Sequence, residues 1–105
     1  MANPELIQSV ADYIAAQFNP NRIILFGSHA RGDARDDSDV YLFVEMERVM
    51  PRMEQERAIR RSFAKRPFAM DIIVYTPEEI AKWSQAPYSL AATVLREGRV
   101  LYERR

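Results

Sequence analysis

Leu6, Ile7, Val10, Ala11, Ile14, Ala15 and Phe18 recur at the three-and-four spacing that lines one face of a helix. Asn3 ahead of Pro4 supplies a side-chain cap and a first helical residue without an N–H, so the helix is predicted to start there and to stop near Asn19-Pro20. The pattern then changes. Ile23, Ile24, Leu25 and Phe26 form a short apolar run closed by Gly27-Ser28, which predicts a buried strand entering a turn. A second strand fits 39–45, where alternation puts Asp39, Tyr41 and Phe43 on one face and Val40, Leu42 and Val44 on the other. Over 51–66 a polar helical pattern follows, with Met53, Ala58, Ile59 and Phe63 as sparse apolar contacts, so this helix is expected on the surface. A third strand over 68–75 carries Asp71 within an otherwise apolar sequence. Thr76-Pro77-Glu78-Glu79 has the form of a capping box opening a short helix to residue 84. Another helix after Pro87 runs through Leu90, Val94 and Leu95, stops at Gly98 and leads into a last strand over 100–102. This order predicts an α/β (α+β) fold, a small mixed β-sheet flanked by helices, as a single domain over 1–105.

Composition narrows the chemistry. The 105 residues are 48% hydrophobic and 29% charged, which suits a chain that buries a core and excludes disorder. Fifteen basic residues balance fifteen acidic ones, so no global field draws nucleic acid or an anionic membrane, and any charged contact must be local. No direct nucleic-acid partner is expected. The one basic patch is the polar helix, with Arg48, Arg52, Arg57, Arg60, Arg61, Lys65 and Arg66 opposed nearby only by Glu54 and Glu56. It reads either as a solvated face or as a contact for phosphate or an acidic partner. Without cysteine there are no disulfides, thiolate metal sites or thiol nucleophiles. The N-terminus lacks a basic start with an apolar run, and no apolar stretch approaches the roughly 18 residues of a membrane span, so a cytoplasmic protein with no membrane partner is expected.

The stretch that carries chemistry runs from Phe26-Gly27-Ser28-His29-Ala30-Arg31-Gly32, through a loop with Asp33, Asp36, Asp37 and Ser38, to Asp39-Val40-Tyr41. Ten residues separate Gly27-Ser28 from Asp39. A glycine at such a turn lets backbone approach a phosphate, and the short helix that follows presents free N–H groups to anions. Arg31 is placed either to touch phosphates or to brace the loop by pairing with Asp33 or Asp37. His29, the only histidine, lacks a partner histidine and is expected to be solvated. Trp83 and Tyr88 are expected to pack helices.

In these residues the chain resembles the minimal nucleotidyltransferases of the polymerase-beta-like superfamily. Their pattern is a strand ending in Gly-Ser, ten residues, and Asp-x-Asp opening the next strand, with a third carboxylate further on. The Ala30-Arg31-Gly32 insert and Ser38 match the small-domain branch, and the resemblance continues to Leu95-Arg96-Glu97-Gly98 and Leu101-Tyr102-Glu103. It implies catalytic and metal-binding roles for Asp39 and Asp71, nucleotide contacts from Gly27, Ser28 and Arg31, and Mg²⁺ and ATP as cofactors. One position departs: Tyr41 stands where the family has its second aspartate, on the same strand face as Asp39. A phenol is neutral at pH 7 and lacks the charge and bidentate reach that Mg²⁺ takes from carboxylates, so weakened metal binding and impaired catalysis are expected. The resemblance also implies a partner. Minimal nucleotidyltransferases pair with all-helical HEPN proteins in toxin–antitoxin systems, where the antitoxin attaches AMP from ATP to a tyrosine of the HEPN ribonuclease. The chain has the length of the catalytic fold alone, so the acceptor is expected on another polypeptide or another copy of this one. Binding without catalysis, or nucleotide sensing, are the alternatives that Tyr41 leaves open.

Overall fold

The computed structural model describes residues 2–35 and 37–104. The Asn3 side chain accepts the N–H of Leu6 at 2.8 Å and starts α1 (Pro4–Phe18) where the cap and proline predict. Asn19 ends it in the left-handed conformation, returning its N–H to the Ala15 carbonyl. Then follow β1 (Arg22–Phe26), the single turn α2 (Ser28–Arg31), β2 (Val40–Glu45), α3 (Arg52–Arg61), β3 (Met70–Tyr75), α4 (Pro77–Trp83), α5 (Leu90–Glu97) and β4 (Arg99–Glu103). Both halves of the predicted capping box form at α4, where Thr76 Oγ1 accepts from the Glu79 N–H and the Glu79 carboxylate accepts from the Thr76 N–H.

The strands make one mixed sheet in the order β3-β2-β1-β4. β1 is antiparallel to both β2 and β4, while β2 and β3 run parallel and are joined by the crossover helix α3, the longer connection a parallel pair requires. Alternation sorts the strand residues onto two faces. Ile23, Leu25, Val40, Leu42, Val44, Met70, Ile72 and Val74 pack with α1 and with Ile59 of α3. Ile24 and Phe43 turn the other way, onto Ile80 of α4 and Val94 of α5. The fold class is therefore the expected one, a mixed α+β sheet with helices on both faces. No described helix is long and apolar enough to cross a membrane.

The basic helix differs from its expectation in two ways. It ends at Arg61, not 66, and Pro67 gives a reason for part of that loss, since the residue before a proline is driven out of helical geometry. Its inner face is also only in part the one hydrophobicity suggests, with Ile59 buried and Phe63 packed against the core as expected. Met53 is exposed, whereas Gln55 is buried beside Ile59 and donates to the Glu47 carbonyl at 2.8 Å. Glu56, from the same helix, accepts the N–H of Val74 at 2.9 Å, so a side chain satisfies one donor of the edge strand β3. Trp83 and Tyr88 are corrected as well: Tyr88 is 96% exposed and Trp83 nearly half exposed, with Lys82 over its ring, so they do not form a packed helix contact.

Candidate active site

The topology gathers the candidate residues at one end of the sheet. β1 finishes there at Phe26, and β2 and β3 begin there, so the Gly27 turn, Asp39, Tyr41 and Asp71 meet although up to 44 residues separate them along the chain. Tyr41 is central. It is the register partner of Phe26 on one side and of Asp71 on the other, and alternation puts all three side chains on the face shared with Phe43. Asp39 lies just before β2, one alternation earlier, and is exposed.

Gly27 has φ 83° and ψ −158°, a region essentially restricted to glycine. That turn aims α2 away from the strand and leaves the Gly27 carbonyl to accept from the N–H groups of Ala30 and Arg31. A side chain at 27 would start 3.1 Å from Cδ2 of Tyr41, so the Tyr41 ring lies directly over the glycine. Its centroid is 5.6 Å from that of Phe26, at a tilt of 38°. The space beside Gly27 that a side chain would occupy is thus taken by a half-buried aromatic ring.

The surrounding loop is braced. Arg31 Nε donates to Asp33 at 3.3 Å, the pairing anticipated as one of its two roles, with both side chains exposed. His29 is half-buried, not solvated: its Nε2 donates to the Ser38 carbonyl at 3.2 Å and ties α2 to the residue before Asp39. Ser38 in turn accepts the Arg35 N–H through Oγ at 2.9 Å. Asp37 is exposed, and Asp36 lies outside the described residues.

Asp39 and Asp71 line one cleft of about 590 Å³ with Arg66, Phe68, Ala69 and Met70. The sequence reading did not foresee that Arg60 would reach this place, its Nη1 standing 4.0 Å from the Asp71 carboxylate. The run of arginines immediately upstream of the Asp71 strand is the signal that could have suggested it. The donor set does not fit the divalent ion the fold implies. Mg²⁺ takes hard, anionic oxygens, and here one carboxylate is engaged by a guanidinium while a neutral ring stands between it and the turn. Among the described residues no three His, Cys, Asp or Glu side chains converge to hold a metal.

The profile of the family described as "Polymerase beta, Nucleotidyltransferase" matches residues 8–105. No curated protein matches the chain. Among solved structures, a protein of Sulfolobus solfataricus described as "a putative nucleotidyltransferase" superimposes with a TM-score of 0.65 at 20% identity, covering 95% of this chain and 79% of its own. At that identity the likeness speaks for the fold.

Proposed function

Since the chain belongs to the polymerase beta nucleotidyltransferase family, whose members generally use a nucleoside triphosphate and a divalent metal, we propose that it is an antitoxin-type protein adenylyltransferase with impaired transfer. Its partner is a HEPN ribonuclease, and the intact reaction would join AMP from ATP to a tyrosine of that partner. In that reaction the tyrosine oxygen attacks the α-phosphorus, the bond to pyrophosphate breaks, and the phenolic proton passes to a carboxylate, for which Asp71 is the candidate. The choice of a HEPN partner is supported by the motif spacing and the Ala30-Arg31-Gly32 insert of the small-domain branch.

The observation that carries the impairment is the Tyr41 ring over Gly27. It favours neutralisation by binding over neutralisation by modification. The same ring removes an anionic ligand from the middle of the site and covers the turn that would face the triphosphate. No step of transfer is therefore assigned to a metal ion in this chain.

The test is co-expression with HEPN proteins, isolation of the stable complex and intact-mass analysis of the HEPN subunit. The native chain is expected to form the complex without an AMP adduct, and Tyr41→Asp, given ATP and Mg²⁺, is expected to produce one. Equal adducts from both forms would remove position 41 from the reaction, and absence of any complex would remove the HEPN partner.

A further inference from the structure

Beside the carboxylate cleft, α3 and the segment after it border a second, solvent-open cavity of about 450 Å³, lined by Arg57, Arg60, Arg61, Phe63, Ala64 and Arg66. Four of its six lining residues are arginines and none is a carboxylate. Among the described residues no ion pair within 4.0 Å engages Arg57, Arg61 or Arg66, and only Arg60 has a partner, Asp71. In a chain of zero formal charge, this places several unneutralised cations around one concavity. Like charges so placed repel one another, and an anion between them relieves the repulsion. The helix C-terminus explains a preference for cations at Arg60 and Arg61 but not at Arg66, which lies beyond the helix.

We infer that this cavity binds a phosphate chain, of the di- or triphosphate class, through guanidinium groups and without a divalent metal. Guanidinium groups match phosphate oxygens in paired hydrogen bonds, which is the chemistry the lining offers. A volume near 450 Å³ falls within the usual range of about 300–1,000 Å³ for small-molecule sites, so a phosphate chain fits it. Phe63, held against Tyr13 with ring centroids 4.6 Å apart, supplies a fixed apolar wall. Arg66 lines both this cavity and the Asp39–Asp71 cleft, so the carboxylates border the site on one side and oppose displacement of an anion in that direction. The site is distinct from the Gly27-Ser28 turn, and the inference stands whether or not the HEPN reading holds.

Calorimetric titration of the full chain with sodium tripolyphosphate, in EDTA and at low salt, tests it. Saturable one-to-one binding is expected. Arg57→Gln combined with Arg61→Gln, both at exposed positions, should weaken it by about tenfold or more, the scale of losing charge-assisted hydrogen bonds. Asp71→Asn should strengthen it by about threefold, because Arg60 is released and a nearby negative charge removed, the scale of one exposed ion pair. Circular dichroism and melts of each variant establish that they are folded. A parallel titration with ATP separates the sources of the ligand: equal affinity assigns the phosphate chain alone, tighter binding assigns a nucleotide. Absence of saturable tripolyphosphate binding, or equal binding by the arginine double variant, overturns the inference. So does arginine-dependent binding confined to polyglutamate or a single-stranded oligonucleotide, which would make the patch a macromolecular surface.

Discussion

Replacing Tyr41 by aspartate puts a carboxylate beside Asp71 and takes an aromatic ring off Gly27 and Phe26, and the two effects can be separated. The ring is half-buried, so its loss exposes roughly 80 Å² of apolar surface, about 2 kcal/mol at the usual coefficient. Tyr41→Asn carries this loss alone. The charge adds to it, because residues paired across adjacent strands lie about 5 Å apart, and two carboxylates at that distance repel by about 1 kcal/mol in a water-like dielectric. Arg60 beside Asp71 keeps the figure from rising further. In EDTA at low salt, urea unfolding should therefore show Tyr41→Asn destabilised by about 2 kcal/mol and Tyr41→Asp by about 3. Mg²⁺ should then discriminate between them. For an ion binding only the folded aspartate form with a dissociation constant near 1 mM, 10 mM metal stabilises by about 1.4 kcal/mol, enough to close the gap between the variants. The native chain and Tyr41→Asn should respond little. If both variants unfold at the same urea concentration in EDTA and respond equally to Mg²⁺, position 41 does not face Asp71 and the assembly of the site described above is wrong.

Two further outcomes test the frame around the site. Burial acts to raise the pKa of Glu79, but the Thr76 N–H and the Arg48 guanidinium outweigh it and hold the carboxyl below its ordinary value. A carboxyl with a depressed folded-state pKa contributes stability that is present above its unfolded pKa and lost as pH falls through the folded one, so the native chain should exceed Glu79→Gln in melting temperature near neutrality and converge with it in acid; a constant difference would refute this. Gly98 is the other. A Cβ there would stand 2.5 Å from both Ile24 Cγ2 and the Val94 carbonyl oxygen, so Gly98→Ala should lower stability by about 1–3 kcal/mol in urea unfolding, and an unchanged midpoint would show that the turn from α5 into β4 sits less tightly against β1.

Local chemistry was legible in the sequence. The Asn3 cap, the Thr76 capping box and the stop at Gly98 each depend on residues within one turn, and each element begins or ends where those residues placed it, within a residue or two. Strand parity also carried through, since the period of two fixes which face Tyr41 shares with Asp71 once the strands are paired. What stayed hidden is what distant segments decide. The order β3-β2-β1-β4 depends on pairings between separated strands, and the reach of Arg60 to Asp71 depends on how the crossover helix lies against the sheet edge. Gln55 shows the same limit from the other side. A glutamine on a charged helix looks solvent-facing, yet here it is buried: the Glu47 carbonyl, placed by the β2–α3 connection, accepts from its amide nitrogen, while its Oε1 has no hydrogen-bond partner among the described residues.

The contact between Tyr41 and Gly27 makes the two positions a linked pair for any substitution at either of them. Glycine at 27 is demanded by backbone geometry, which any larger residue would strain, and again by the ring above it, which any larger residue would strike. The second demand exists only while position 41 is bulky. A variant with a small or acidic residue at 41 would leave Gly27 constrained by its dihedral angles alone. A variant that replaced the glycine first would meet both penalties at once. Substitutions at the two positions are therefore ordered in cost, with a change at 41 easing a later change at the turn and not the reverse.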